Sequence, residues 1–306
     1  MPASRRSICA GGLWPDGLAM TLDHRRGLLL VAGAAIVWSL GGLLFRLIGT
    51  GVTTTMCGRA LAAAVVLLIV ITLKSGGRPW NALRALGWPG FLVGVFFAAD
   101  SSCYMAALHF TTVAHVVVIL SLTPLFTALA AWLVMREAIR LRVAFAILVS
   151  FAGVALMVSG NYGEGAWIGD LLALGVPTLF AVVTVITRRH PGVHLMPAVC
   201  LAAILSGLSF LPFADFAQAG PRDVALMTLL GSVEFGLGLI LYLAGAKLVP
   251  AAEAGLMSLL ETVLAPLWVW LVVAEDPGWR AIAGGLVVLL SLAALSLADL
   301  THPARA

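Results

Sequence analysis

The chain has 306 residues, of which 61% are hydrophobic and 10% charged, with a formal net charge of +4. A soluble domain carries about 25% charged residues, so this chain belongs in a membrane. Its apolar runs are continuous, not alternating, which disfavours a β-barrel, and no compact basic domain exists to bind nucleic acid.

Apolar runs near 20 residues cross about 30 Å of hydrocarbon as helices. Ten are predicted, at Leu28–Ile48, Thr53–Leu73, Trp88–Leu108, Val113–Val134, Val143–Ser159, Trp167–Thr187, Val193–Phe213, Val224–Ala246, Ala251–Val273 and Ala281–Ala298. The linkers are short and collect Gly, Pro and charge, as in 74–79, 163–165, 188–191 and 220–223. Residues 1–26 read as an N-terminal tail, with Met20 a second candidate start beside Met1, and 300–306 as a C-terminal tail.

Fourteen of the 18 Lys and Arg side chains fall on one side of this ladder, only Arg222 and Arg280 on the other, and Arg46 and Arg59 within spans. The positive-inside bias predicts that both termini are cytoplasmic. Glu164 is then expected to face outward and Arg78 inward.

The sequence also repeats at an offset of 138: Tyr104 falls on Tyr242, Trp132 on Trp270, Glu137 on Glu275 and Arg142 on Arg280. The two copies span 27–160 and 165–299, with five spans each. An odd number per copy inverts the second copy in the membrane, the usual frame of a secondary transporter with a site between the halves.

The cysteines, Cys9, Cys57, Cys103 and Cys200, form no close pair and read as small buried apolar residues. His109 and His115 flank one loop but lie on different helix faces, so no metal is expected.

Ionisable groups near the bilayer centre cost about 2.5–3.5 kcal/mol each on insertion scales and need a reason. At 1.5 Å per residue, Glu234 and Glu261 lie about 15 Å into the eighth and ninth spans. Each reads either as a ligand for a substrate amine or proton, or as a helix–helix hydrogen bond. Asp100 and Arg59 lie at similar depths, roughly 12 and 9 Å below one face, and are expected to form a structural ion pair. Arg46 and Glu253 sit near span ends, where side chains snorkel to water. Helical spacing groups Trp38 and Ser39, Asp100 and Tyr104, Gly238 and Tyr242, and Ser258, Glu261 and Thr262 on stripes that turn from lipid. Trp132, Trp167, Trp268 and Trp270 read as interfacial belts or packing. Pro124, Pro177 and Pro266 fall mid-helix and are candidate hinges.

Several stretches resemble the drug/metabolite transporter superfamily in its EamA-domain branch. They are Trp38-Ser39-Leu-Gly41-Gly42 with Arg46, Arg59, Leu120-Ser121-Leu-Thr-Pro124-Leu-Phe126 through Glu137, Gly169-Asp170-Leu-Leu-Ala-Leu174, and Leu259-Leu260-Glu261-Thr262 through Glu275. The resemblance covers about Gly27 to Asp299. The family favours Glu-Pro in the fourth and ninth spans; here the fourth has Thr123-Pro124 and the ninth Glu261-Thr262.

The resemblance implies a basket of ten helices around a cavity lined mainly by spans three, four, eight and nine. It adds Ser121 to the candidate cavity set. It implies a secondary transporter, expected to export amino acids or their derivatives by alternating access across a bacterial inner membrane. Import of a vitamin or other metabolite and multidrug efflux are the alternatives. A membrane-embedded lipid-modifying enzyme fits less well, because no paired-Asp motif or His-rich loop is present. No phosphate-binding Gly-x4-Gly-Lys-Ser/Thr loop occurs, so ATP and other cofactors are not expected. The acids leave room for proton coupling, and a monomer is expected to suffice.

Overall fold

The computed structural model describes residues 22–139, 141–159 and 166–301. Most of the expected N-terminal tail, the loop carrying Glu164 and the last five residues lie outside the described residues. Ten helices are long and apolar enough to cross a membrane: α1 (Leu22–Leu47), α2 (Val52–Lys74), α3 (Gly87–Phe110), α4 (Val113–Met135), α5 (Leu141–Val158), α6 (Ala166–Arg189), α7 (Leu195–Phe213) and α8 (Pro221–Gly245), then α9 (Ala251–Val273) and α10 (Gly278–Thr301). A short helix, Pro79–Arg84, joins α2 to α3. Among the described residues there is no strand.

Each predicted span is present. The largest difference is at α1, which starts at Leu22 instead of Leu28, so residues 22–26 are helix and not tail. Apolarity marks where hydrocarbon begins, whereas a helix can start earlier on polar residues. Asp23 in the first turn complements the helix dipole there.

Three helices are irregular at mid-membrane. Helix α1 breaks at Leu40, between Leu22–Ser39 and Gly41–Leu47. The Ser39 hydroxyl donates to Ile36 O at 2.7 Å, satisfying a carbonyl near the break. Helix α4 breaks between Leu120 and Thr123, because Pro124 has no N–H to continue the ladder. Ser121 Oγ takes up Val118 O and Thr123 Oγ1 takes up Leu120 O, at 2.6 and 2.5 Å. Helix α8 is π-helical over Leu230–Leu237, a form that concentrates at functional sites. Of the expected hinges, Pro124 coincides with a break; Pro177 and Pro266 lie inside uninterrupted helices.

The two halves exchange partners. Helix α6 of the second half packs on α3 and α4 of the first, and α1 packs on α8 and α9. Helices α2 and α7 pair with each other, as do α5 and α10. This is a twofold-like arrangement of inverted five-helix repeats. It yields one bundle of α3, α4, α6 and α7 and a mirror bundle of α1, α2, α8 and α9.

Met105, Leu108, Ile119, Leu122, Met157 and Val288 fill a core where α3, α4, α5 and α10 meet. Leu29, Leu141, Phe145 and Leu148 are largely exposed, as side chains facing lipid are. The backbone repeats the symmetry in detail. Helices α4 and α9 both end on a left-handed non-glycine residue, Arg136 (φ 58°) and Ala274 (φ 56°), separated by the 138-residue offset. That conformation costs ~1–2 kcal/mol. Here it turns the chain so that the next residue, Glu137 or Glu275, faces a neighbouring helix.

Candidate functional site

The mid-membrane acids collect where the helices are irregular. The π-helical stretch of α8 carries Glu234 inward, and Glu234 is 5% exposed. Its approach is allowed by glycine: a Cβ at Gly231 would run into the backbone of Arg59 on α2. Beyond the break in α1, a Cβ at Gly41 would lie 2.7 Å from Glu234 Oε1 and 3.1 Å from Tyr104 Oη. Gly41 therefore lets the Glu234 carboxyl and the Tyr104 hydroxyl close on α1. Glu261 on α9 lies within electrostatic reach of both Glu234 and Tyr104.

Arg59, 4% exposed, reaches this group from α2. Its Nη1 donates to Ser101 Oγ at 2.7 Å, its guanidinium lies 4.8 Å from the Phe235 ring centre, and its Nη2 is 3.9 Å from Glu234 Oε2. The expected Arg59–Asp100 pair is not formed; the arginine pairs with Glu234. The reason is helical geometry. Ser101 lies one residue, or about 100°, around α3 from Asp100, and it is Ser101 that faces Arg59. Asp100 instead has a buried Oδ1 with no hydrogen-bond partner.

Trp38 and Tyr242 have ring centres 5.3 Å apart. Gly238 seats the Trp38 indole, since a Cβ there would collide with it. Thr262 is buried on α9, and Ser258 and Ser121 turn their hydroxyls back onto their own helices at Ala254 O and Val118 O.

The two ends differ. At the end opposite Lys74 and Arg189, Arg46 does not snorkel to water but turns inward. Its Nε donates to Glu275 Oε2 at 2.6 Å, Nη1 to Leu108 O at 2.7 Å and Nη2 to Thr111 O at 2.8 Å. Glu275 Oε1 accepts from the Val113 amide at 2.9 Å. This network ties α1 and α9 of one bundle to α3 and α4 of the other. Beneath it, Thr111 Oγ1 and His115 Nδ1 both meet Asp170 Oδ1 at 3.0 Å, so His115 is a buried partner of α6. Trp268 is no belt residue either: its Nε1 donates to Ser39 Oγ at 3.0 Å.

At the basic end, the repeat-equivalent acid Glu137 accepts a two-point contact from Arg188, at 2.7 and 3.1 Å, with both side chains 45% exposed. This pair joins α4 to α6 within one bundle and crosses to nothing in the other. Beside it a crevice of about 430 Å³ opens between α3, α4 and α6, lined by Trp88, Leu92, Ala130, Val134, Ile186 and Arg189. The repeat offset sets Ala130, in this crevice, against Trp268, which fills its place at the other end. Among the described residues, the Arg46–Glu275 network bridges the two bundles at one end, whereas the repeat-equivalent Glu137 pairs within its own bundle at the other.

Sequence reasoning missed the partners of Arg46 and Trp268, and missed Gly41 as a member of this arrangement. The match of Glu137 to Glu275 was a usable signal for the two ion pairs. Nothing in the sequence marked the side chain that Gly41 makes room for.

The EamA-like transporter family matches residues 25–159 and again 167–297. The chain is similar to the pseudopaline exporter CntI of Pseudomonas aeruginosa, 25% identical over 284 residues and covering 90% of this chain and 98% of that one. It is similar to the biotin transporter of Escherichia coli, 25% identical over 229 residues, 69% of this chain and 74% of that one. A solved crystal structure has the same fold, with a TM-score of 0.65 at 19% identity, covering 92% of this chain and 99% of that one.

Proposed function

The chain belongs to the EamA-like transporter family and is a multi-pass membrane transporter of small molecules, not an enzyme; from that premise we propose that it exports amino acids or their derivatives by alternating access. The observation that carries this reading is the set of mid-membrane acids, Asp100, Glu234 and Glu261, in helices that the Arg46–Glu275 network bridges at one end. Aromatic residues beside them, Tyr104, Trp38 and Tyr242, suit an ammonium group with an apolar side chain. Pseudopaline export by a relative is in keeping with outward movement.

The basic end is cytoplasmic in this reading, from the positive-inside bias, and the bacterial relatives support an inner membrane. The Arg46–Glu275 network then bridges the bundles at the outer end. The repeat suggests the opposite state, with Arg188 standing four residues, about one helical turn, beyond Thr184, the position on which Arg46 falls. Offset by 138, Leu108, Thr111 and Val113 become Ala246, Val249 and Ala251. Closure of the cytoplasmic end would carry Arg188 to the carbonyls of Ala246 and Val249, and Glu137 to the amide of Ala251. The Arg46–Glu275 network would part in the same movement.

The reading is tested by expressing the protein in a bacterial strain stripped of its own amino acid exporters and loading the cells with dipeptides. Export predicts that at least one amino acid falls inside and rises in the medium. Unchanged levels of all twenty would overturn amino acid export. Uptake of biotin in the same cells would favour import, the reading that the biotin transporter relative supports.

A further inference from the structure

We infer that Arg59, Asp100 and Glu234 together bind the two charges of a zwitterion, the carboxylate on Arg59 and the ammonium on the acids. This rests on the transporter reading and specifies its ligand. The helices α2, α3 and α8 bring three charged groups into one buried cluster whose hydrogen-bonding capacity is left unused. Arg59 Nε, Glu234 Oε2 and Asp100 Oδ1 are all buried, and none has a hydrogen-bond partner. The one ion pair among them, Arg59 Nη2 to Glu234 Oε2, is open at 3.9 Å, beyond hydrogen-bond length. Asp100 lies within electrostatic reach of the same guanidinium.

Buried polar groups are almost always satisfied, and a charged one left unpaired is the most costly case. A cluster built only to hold helices together would close its ion pair. This one offers a free cationic donor and two free anionic acceptors to whatever enters. An amine alone would leave the arginine unmet, and a carboxylate alone would leave the acids unmet. A zwitterion meets both and brings no net charge into a low-dielectric site. Glu234 Oε1 packs against residue 41 because that residue is glycine: a Cβ there would sit 2.7 Å from it. Ser101 and Phe235 hold the guanidinium from one side, leaving Nε and Nη2 to the ligand.

The test is ligand-induced thermal stabilisation of the detergent-purified protein with the twenty amino acids in three forms: free, as methyl esters and N-acetylated. The ester keeps only the cation and the acetyl form only the anion. At least one free amino acid is expected to stabilise the protein, with both its derivatives binding at least about tenfold more weakly, since each strands a buried charge. Asp100→Asn keeps the shape of the site and is expected to collapse the preference for the free form over the acetyl form. A merely structural Asp100 would lower the melting temperature and leave that preference unchanged. Arg59→Gln should do the same for the preference over the ester. A derivative that binds as well as its parent, or a protein stabilised by no amino acid, overturns the inference. Transport of another metabolite by that same protein would leave the transporter reading standing.

Discussion

Removing the charge of Glu275 should unseal the end that Arg46 closes. In Glu275→Gln the side chain keeps its size, and its oxygen can still accept from the Val113 amide, 2.9 Å from Oε1 in the native chain. What is lost is the charge-assisted contact with Arg46 Nε at 2.6 Å; the contacts of Arg46 with Leu108 O and Thr111 O, at 2.7 and 2.8 Å, remain. A hydrogen bond to a charged group contributes about 1.5–3 kcal/mol. The two side chains are 22% and 20% exposed, so solvent screening trims this to roughly 1.5–2 kcal/mol. That corresponds to a ~10–30-fold shift toward the state open at this end. The assay uses a chain whose native cysteines are replaced and which carries Ser121→Cys, a reporter at the break in α4. A membrane-impermeant maleimide is added on the side away from the basic end. Its labelling rate should rise ~10–30-fold in Glu275→Gln, because the network crosses from one bundle to the other. An unchanged rate in a folded protein would refute the reasoning and reduce the network to a local brace.

The mirror pair should behave differently. Glu137→Gln removes a half-exposed contact within one bundle, which contributes about 0–1 kcal/mol, so the melting temperature should hardly move while counterflow slows, because the proposed closed state needs Glu137 at the Ala251 amide. A larger loss of stability than in Glu275→Gln would contradict that asymmetry. Gly41→Ala places a methyl on the Glu234 carboxyl and should abolish substrate binding, at a cost of about 1–3 kcal/mol in stability from overpacking; full binding by this variant would show that the space it fills is not the site. Finally, a cysteine at position 78 should label only from the cytoplasm and one at position 220 only from outside, and the reverse pattern would invert the orientation.

Much of the fold was legible in the sequence because hydrocarbon imposes length and apolarity directly. Ten runs, one repeat and a biased loop charge were enough for the inverted halves. The departures have physical causes. Pro124 announced the break in α4, since proline removes a donor wherever it sits. The break in α1 at Leu40 and the π-helical stretch of α8 depend on hydrogen bonds and close approaches between helices, which periodicity does not report. Depth alone paired Arg59 with Asp100, but a helix has faces as well as depth, and Ser101 held the face that Asp100 was assigned. Arg46 looked like a snorkelling side chain because its partner, Glu275, lies 229 residues away along the chain. The acids were recognisable one by one from the cost of burying them. Their convergence is a property of packing.

The central claim is that solute passes through this protein by exchange across a sealed membrane. Proteoliposomes loaded with an unlabelled amino acid mixture and diluted into labelled amino acids test it most directly. The account predicts transient accumulation of at least one labelled amino acid, present with the native chain and absent with Gly41→Ala. No accumulation above protein-free liposomes for any of the twenty would contradict it.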